Sequence, residues 1–135
     1  MEEKVFIVSK EEFLIMAAVS GIRSMYGFEI AETGKETGEL LVEMHRLVEK
    51  GFLDTDDEKF YLQEPMKSIF QQIKEVKTTM DVHKQSGKKC IIYISDFGVK
   101  VSFSAQRKGK LEIQAMEKEN IWSFLQEEGW IPASV

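Results

Sequence analysis

Very little in this sequence binds metal, crosslinks or crosses a bilayer. The chain has one cysteine among 135 residues, Cys90, which excludes an internal disulfide and fits a reducing, cytoplasmic setting. It has two histidines, His45 and His83. Neither has the Cys, His or carboxylate spacing of a metal site. No apolar run approaches the ~20 residues that span a bilayer, so no membrane association is expected. The Met-Glu-Glu-Lys start is acidic and is followed by only four apolar residues, unlike a secretory signal. Phosphate-loop and dinucleotide glycine patterns are missing. Asp96-Phe97-Gly98 matches the kinase metal-binding tripeptide, but neither a glycine-rich loop nor a His-Arg-Asp loop accompanies it. Asp and Gly are ordinary hairpin-turn residues, and the tripeptide reads as a turn. Nothing positive points to catalysis, a cofactor or a metal, and the expectation is a protein that is not an enzyme.

What is present is a globular composition, 43% hydrophobic and 30% charged. The net charge of −5 argues against a general nucleic-acid binder. That charge is unevenly spread. Residues 1–64 hold 7 Lys/Arg against 15 Asp/Glu, whereas residues 65–116 hold 10 against 4. Such segregation marks either an interaction surface or solvated faces that differ by chance.

Along the chain, Val5-Phe-Ile-Val8 suits a strand. Ser9 and Glu12 then form a capping box for a helix running through Phe13 to Val19 towards Gly21. This helix is apolar nearly all round and is expected in the core. Residues 22–36 are broken by Gly27, Gly34 and Thr33, with one helical turn expected at Phe28-Glu-Ile-Ala31.

The next helix is clear. Leu40, Leu41, Met44, Leu47 and Val48 predict one buried stripe, with Glu39, Glu43, Arg46 and Lys50 on the other side. There Arg46 can pair with Glu43 or Glu49. Gly51 predicts the left-handed stop. Phe52-Leu53 and Phe60-Tyr61-Leu62 then flank the acidic turn Asp54-Thr-Asp-Asp-Glu58, predicting a hairpin. Pro65 opens a further helix with the stripe Met66, Ile69, Phe70, Ile73 and Val76. The polar stretch 78–89 reads as a linker. Beyond it, Cys90–Ile94, Val99–Phe103 and Leu111–Ala115 predict an antiparallel three-stranded sheet with one wet face. Its other face is covered by a helix bearing Ile121, Trp122, Phe124 and Leu125.

The order from Leu40 to Leu62, a helix, a Gly stop and a charged hairpin, resembles the recognition helix and wing of winged-helix proteins. The resemblance spans roughly Lys10 to Val76. The fold expectation is therefore α+β: a winged-helix-like half over residues 1–77, a linker over 78–89, and a sheet-plus-helix unit over 90–135. A recognition helix of that kind would carry Glu36, Glu39 and Glu43 towards DNA, and phosphates would repel them. Separately, Phe6-Ile-Val-Ser-Lys-Glu-Glu-Phe-Leu14 with Tyr26-Gly-Phe28 looks like the opening of EspG-type accessory proteins of type VII secretion. That resemblance implies a cytosolic adaptor or chaperone for secreted helical-hairpin substrates.

The functional expectation is a cytoplasmic, non-catalytic protein-interaction module aided by self-association. Its partner-binding residues are Glu36, Glu39 and Glu43 on the acidic helix, and Arg107, Lys108 and Lys110 on a basic edge. Surplus apolar groups such as Met16, Met25, Tyr26 and Trp130 are candidate anchors. The alternative is a winged-helix DNA-binding transcriptional regulator contacting phosphate through Lys84, Lys88, Lys89, Arg107, Lys108 and Lys110.

Overall fold

A computed structural model describes residues 5–28, 37–56, 59–103 and 109–131. The fold is α+β. The first strand, β1 (Val5–Ser9), leads directly into α1 (Lys10–Val19). Then come α2 (Thr37–Glu49), the hairpin strands β2 (Leu53–Thr55) and β3 (Phe60–Leu62), and α3 (Met66–Lys74). The chain continues through β4 (Thr78–His83), β5 (Lys89–Ile94), β6 (Gly98–Phe103) and β7 (Lys110–Met116) to α4 (Ile121–Glu127).

The predicted start of α1 is present: Glu12 N donates to Ser9 Oγ at 3.0 Å and Ser9 N to Glu12 Oε1 at 2.8 Å. Each bond satisfies an amide that the helix itself cannot. Phe13, Ile15, Met16 and Ala17 are buried, as an all-round apolar helix requires. Met16 is thus core, not a surface anchor.

The sheet differs from expectation. It has five antiparallel strands in the order β1-β7-β6-β5-β4, not three. One added strand comes from the N-terminal half, with Phe6 opposite Ile113 and Val8 opposite Leu111. The other, β4, lies within the stretch read as a linker, with Met80 opposite Ile92 and Val82 opposite Cys90. Polar residues hid β4, because Thr78, Thr79, Asp81 and His83 dilute its apolar pair. Thr and Val nonetheless favour a pleated strand, and period-2 alternation turns Met80 and Val82 to one face.

Both faces of the sheet bury a core over its central strands, which corrects the expectation of a wet one. On one side Val8, Ile91, Tyr93, Val99, Val101, Leu111 and Ile113 pack with Phe13, Phe70 and Ile73 from α1 and α3. On the other, Cys90, Ile92 and Met116 pack with Ile121 and Leu125 from α4. That second side also buries Lys100, Ser102 and Gln114, the residues whose polarity suggested solvent. A lysine stem is apolar, and the Lys100 ammonium sits 5.0 Å from the Phe124 ring centroid. Trp122, expected to cover the sheet, is instead 59% exposed. Gly98 lets α4 approach closely: a Cβ there would lie 2.8 Å from Ile121 Cδ1.

The Asp96-Phe97-Gly98 tripeptide is the β5–β6 turn, as its residue types suggested. Ser95 N donates to Phe97 O at 3.1 Å, and Gln72 Oε1 accepts from Asp96 N at 2.9 Å. The buried Gln72 of α3 therefore clamps the turn. The helical turn expected at Phe28–Ala31 and the break expected at Thr33 and Gly34 lie outside the described residues, save Phe28.

Candidate functional site

The α2 helix is where the expected acidic face and a mostly buried stripe meet. Leu47 is fully buried, and Leu40, Met44 and Val48 pack on the same core from partly buried positions. Leu41 breaks the predicted stripe, because it is 44% exposed, and Val42 is 51% exposed. At 100° per residue, Leu41 lies about 120° from Leu47, at the rim of the buried arc, and Val42 lies about 140° away. Counting Leu41 into the stripe stretched the buried face beyond what α1 and the hairpin can cover. The result is two apolar side chains outward on a regular helix.

Their setting is charged. Glu39 is exposed, and Glu43 is half-buried and accepts from Arg46 Nη1 at 3.0 Å, the predicted i,i+3 pair. Such a surface pair contributes about 0.3–0.5 kcal/mol, so it shapes the patch more than it stabilises it. His45, exposed, sits edge-on to Phe60 of β3 with centroids 5.3 Å apart. The helix ends where Phe52 N donates to Leu47 O at 3.0 Å and Gly51 takes φ +83°. That left-handed residue redirects the chain into the hairpin, in the register Leu53↔Leu62, Asp54↔Tyr61 and Thr55↔Phe60. The hairpin therefore props one flank of α2 through Phe60.

A buried carboxylate anchors this same C-terminal end of α2. Lys50, beyond the last turn, forms an ion pair with Glu12 on α1. Burial pushes the Glu12 carboxyl up, but it is outweighed. The Lys50 hydrogen bond, the Ser9 amide and the positive charges of Lys50 and Lys110 hold it below the ordinary value. Lys110 opens β7 opposite Ser9. The basic residue expected on a separate edge thus acts on the acidic N-terminus of α1, close to α2. Glu36, Arg107 and Lys108, the remaining predicted partner-binding residues, lie outside the described residues, as do Asp57 and Glu58 of the hairpin turn.

Other polar groups are internally engaged. On β4, Asp81 accepts from Tyr26 Oη at 2.5 Å, and its other carboxylate oxygen lies 2.9 Å from His83 Nε2. Tyr26 is 54% exposed, and its phenol is held up by that hydrogen bond and by the Asp81 charge. Tyr93 Oη, in the core beneath, donates to Tyr26 O at 2.5 Å, which ties this loop to the sheet. Of the expected anchors, then, Tyr26 is exposed while Met25 and Trp130 are half-buried. Lys84 donates to Glu128 O at 2.8 Å and lies 4.6 Å from the Trp130 ring, fastening the end of α4 to the β4–β5 turn. Cys90 is fully buried, and burial pushes its thiol up to about 11. That places it as a packed side chain, inert at neutral pH.

Among the described residues, no group of three or more His, Cys, Asp or Glu side chains could hold a metal ion, and no helix is long and apolar enough to cross a membrane. Sequence reasoning found the acidic flank of α2 but missed Leu41 and Val42. The signal was available in Val42, an apolar residue outside the predicted stripe. Compared with known protein families and with curated proteins, the chain matches none.

Proposed function

We propose that this chain is a non-catalytic protein-recognition module, a cytosolic adaptor of the kind that secretion accessories and chaperones represent. The outer face of α2 is its reading surface. The observation that carries this reading is the exposure of Leu41 and Val42 on a regular helix between carboxylates. Burying two such side chains against a partner contributes a few kcal/mol through the hydrophobic effect. Glu39 and Glu43 select a basic rim on that partner and speed encounter. On this reading α1, α2 and the β2–β3 hairpin are used as a winged helix uses its helices and wing, with α2 taking a polypeptide instead of a DNA groove.

The test is affinity capture from the native cell extract, followed by titration of each captured protein in purified form. Leu41→Lys with Val42→Lys, and separately Glu39→Lys with Glu43→Lys, should each weaken a direct partner at least tenfold without changing the circular dichroism spectrum. Unaltered affinity in both pairs rejects this surface. Retention on duplex DNA at moderate salt, abolished by reversing Arg107, Lys108 and Lys110 to Glu, replaces the reading with the DNA-binding regulator.

A further inference from the structure

The two edges of the five-stranded sheet are unlike. The β4 edge carries Asp81 and His83, the charged and polar residues that guard edges against strand addition. The β1 edge, Val5-Phe-Ile-Val-Ser9, has no charge, proline or glycine. Its Val5 and Ile7 are 49% and 45% exposed. Among the described residues, no strand pairs with its outer side.

The backbone of β1 specifies which groups are left over. Lys10 N donates inward to Gly109 O at 3.1 Å, and Ser9 N is taken by the Glu12 carboxylate. Strand alternation therefore turns the amides of Phe6 and Val8 towards β7. It leaves the N–H and C=O of Val5 and Ile7 facing out.

We propose that this edge pairs antiparallel with β1 of a second copy of the chain, about a two-fold axis at Phe6. In that register Val5 of one copy lies opposite Ile7 of the other, twice. All four outward N–H groups meet all four outward C=O groups, and Ser9 keeps its bond to Glu12. Val5 and Ile7 touch across the seam on the α4 side, so each half-exposed side chain gains an apolar neighbour. No like charges face one another within the strands. A shift of the axis to Ile7 would instead set Val5 against Ser9 and demand the Ser9 amide that α1 already uses. The self-complementarity of this one register favours a second copy over an unrelated strand.

The seam is smaller than the roughly 800 Å² per partner of a standard interface. Dimerisation is therefore concentration-dependent. The net charge of −5 on each chain opposes it at long range, so added salt strengthens it.

Sedimentation and light scattering on the full chain, from about 1 µM to about 500 µM, should show the mass doubling. Ile7→Lys and, separately, Val5→Lys should each return a monomer with an unchanged circular dichroism spectrum, since both side chains are half-exposed. Register is read by crosslinking. Opposed Cα atoms in a hydrogen-bonded pair lie about 5.5 Å apart, within disulfide reach. Val5→Cys mixed with Ile7→Cys should form a covalent dimer under mild oxidation. Neither variant alone should do so, because like residues lie roughly 8 Å apart in this pairing. A monomer at the highest concentration overturns the proposal, as does a dimer that survives both Lys variants. Crosslinking of Val5→Cys with itself overturns the register. Val5 and Ile7 face the α4 side of the sheet, whereas α2 packs on the α1 side, so partner capture and dimerisation succeed or fail independently.

Discussion

Replacing Glu12 by Gln should make the protein less stable at neutral pH and less sensitive to acid. The carboxylate is 5% exposed and serves two neighbours, accepting from Ser9 N and pairing with Lys50. A glutamine can keep the first bond, because Gln serves in a capping box as Glu does. It cannot keep the charge. A hydrogen bond involving a charged group contributes about 1.5–3 kcal/mol. Lys50 is about half exposed, and solvent screening discounts that figure, so Glu12→Gln should cost about 1 kcal/mol. Glu12→Ala also orphans the Ser9 amide and should cost about 2–3 kcal/mol.

The sign with pH follows from the depressed carboxyl. The folded-state value lies below the ordinary 4.5, so this group's contribution is fully present above 4.5. It is lost as pH falls through the folded-state value. Urea unfolding followed by tryptophan fluorescence, at neutral pH and in acid, should show the gap between wild type and Glu12→Gln closing on acidification. A double-mutant cycle with Lys50→Ala should give a coupling of about 1 kcal/mol. If Glu12→Gln is neutral and keeps the wild-type acid sensitivity, the carboxylate is not the link between α1 and α2 described here.

Two further outcomes probe the α4 side of the sheet. Leu125→Ala empties a fully buried position in the smaller core cluster and should destabilise by about 2–4 kcal/mol in urea titrations; a loss below 1 kcal/mol would mean that α4 is not fastened there. Cys90, buried with its thiol pushed up to about 11, should resist a disulfide reagent in the native protein at neutral pH and react readily in denaturant. Rapid native labelling would refute its burial.

Some of this structure was legible because the signals are local. The Ser9–Glu12 capping box, the Gly51 stop and the Asp96–Gly98 turn each depend on residues within a few positions of one another. The acidic side of α2 and the Glu43–Arg46 pair follow from helical spacing alone. The strands Cys90–Ile94 and Val99–Phe103 advertised themselves by apolar residues dense enough to survive any partner.

Exposure was different, because it depends on what packs opposite. Leu41 satisfies helical periodicity and yet lies outward, since the buried face of α2 is only as wide as α1 and the hairpin can cover. Lys100, Ser102 and Gln114 look wet in the alternation of their strands and are buried, because α4 lies across them. Trp122 looks like core and is exposed, one position round the helix from Ile121.

The sequence by itself determined the element types and where most of them begin and stop, through capping, glycine conformation and the period of apolar residues. Only the tertiary structure decided that β1 joins β7 across more than 100 residues, that β4 extends the sheet, and which apolar side chains stay uncovered. Strand pairing is a long-range choice between backbones. No local pattern encodes the partner, and the free edge it leaves at β1 is visible only once the order of the strands is known.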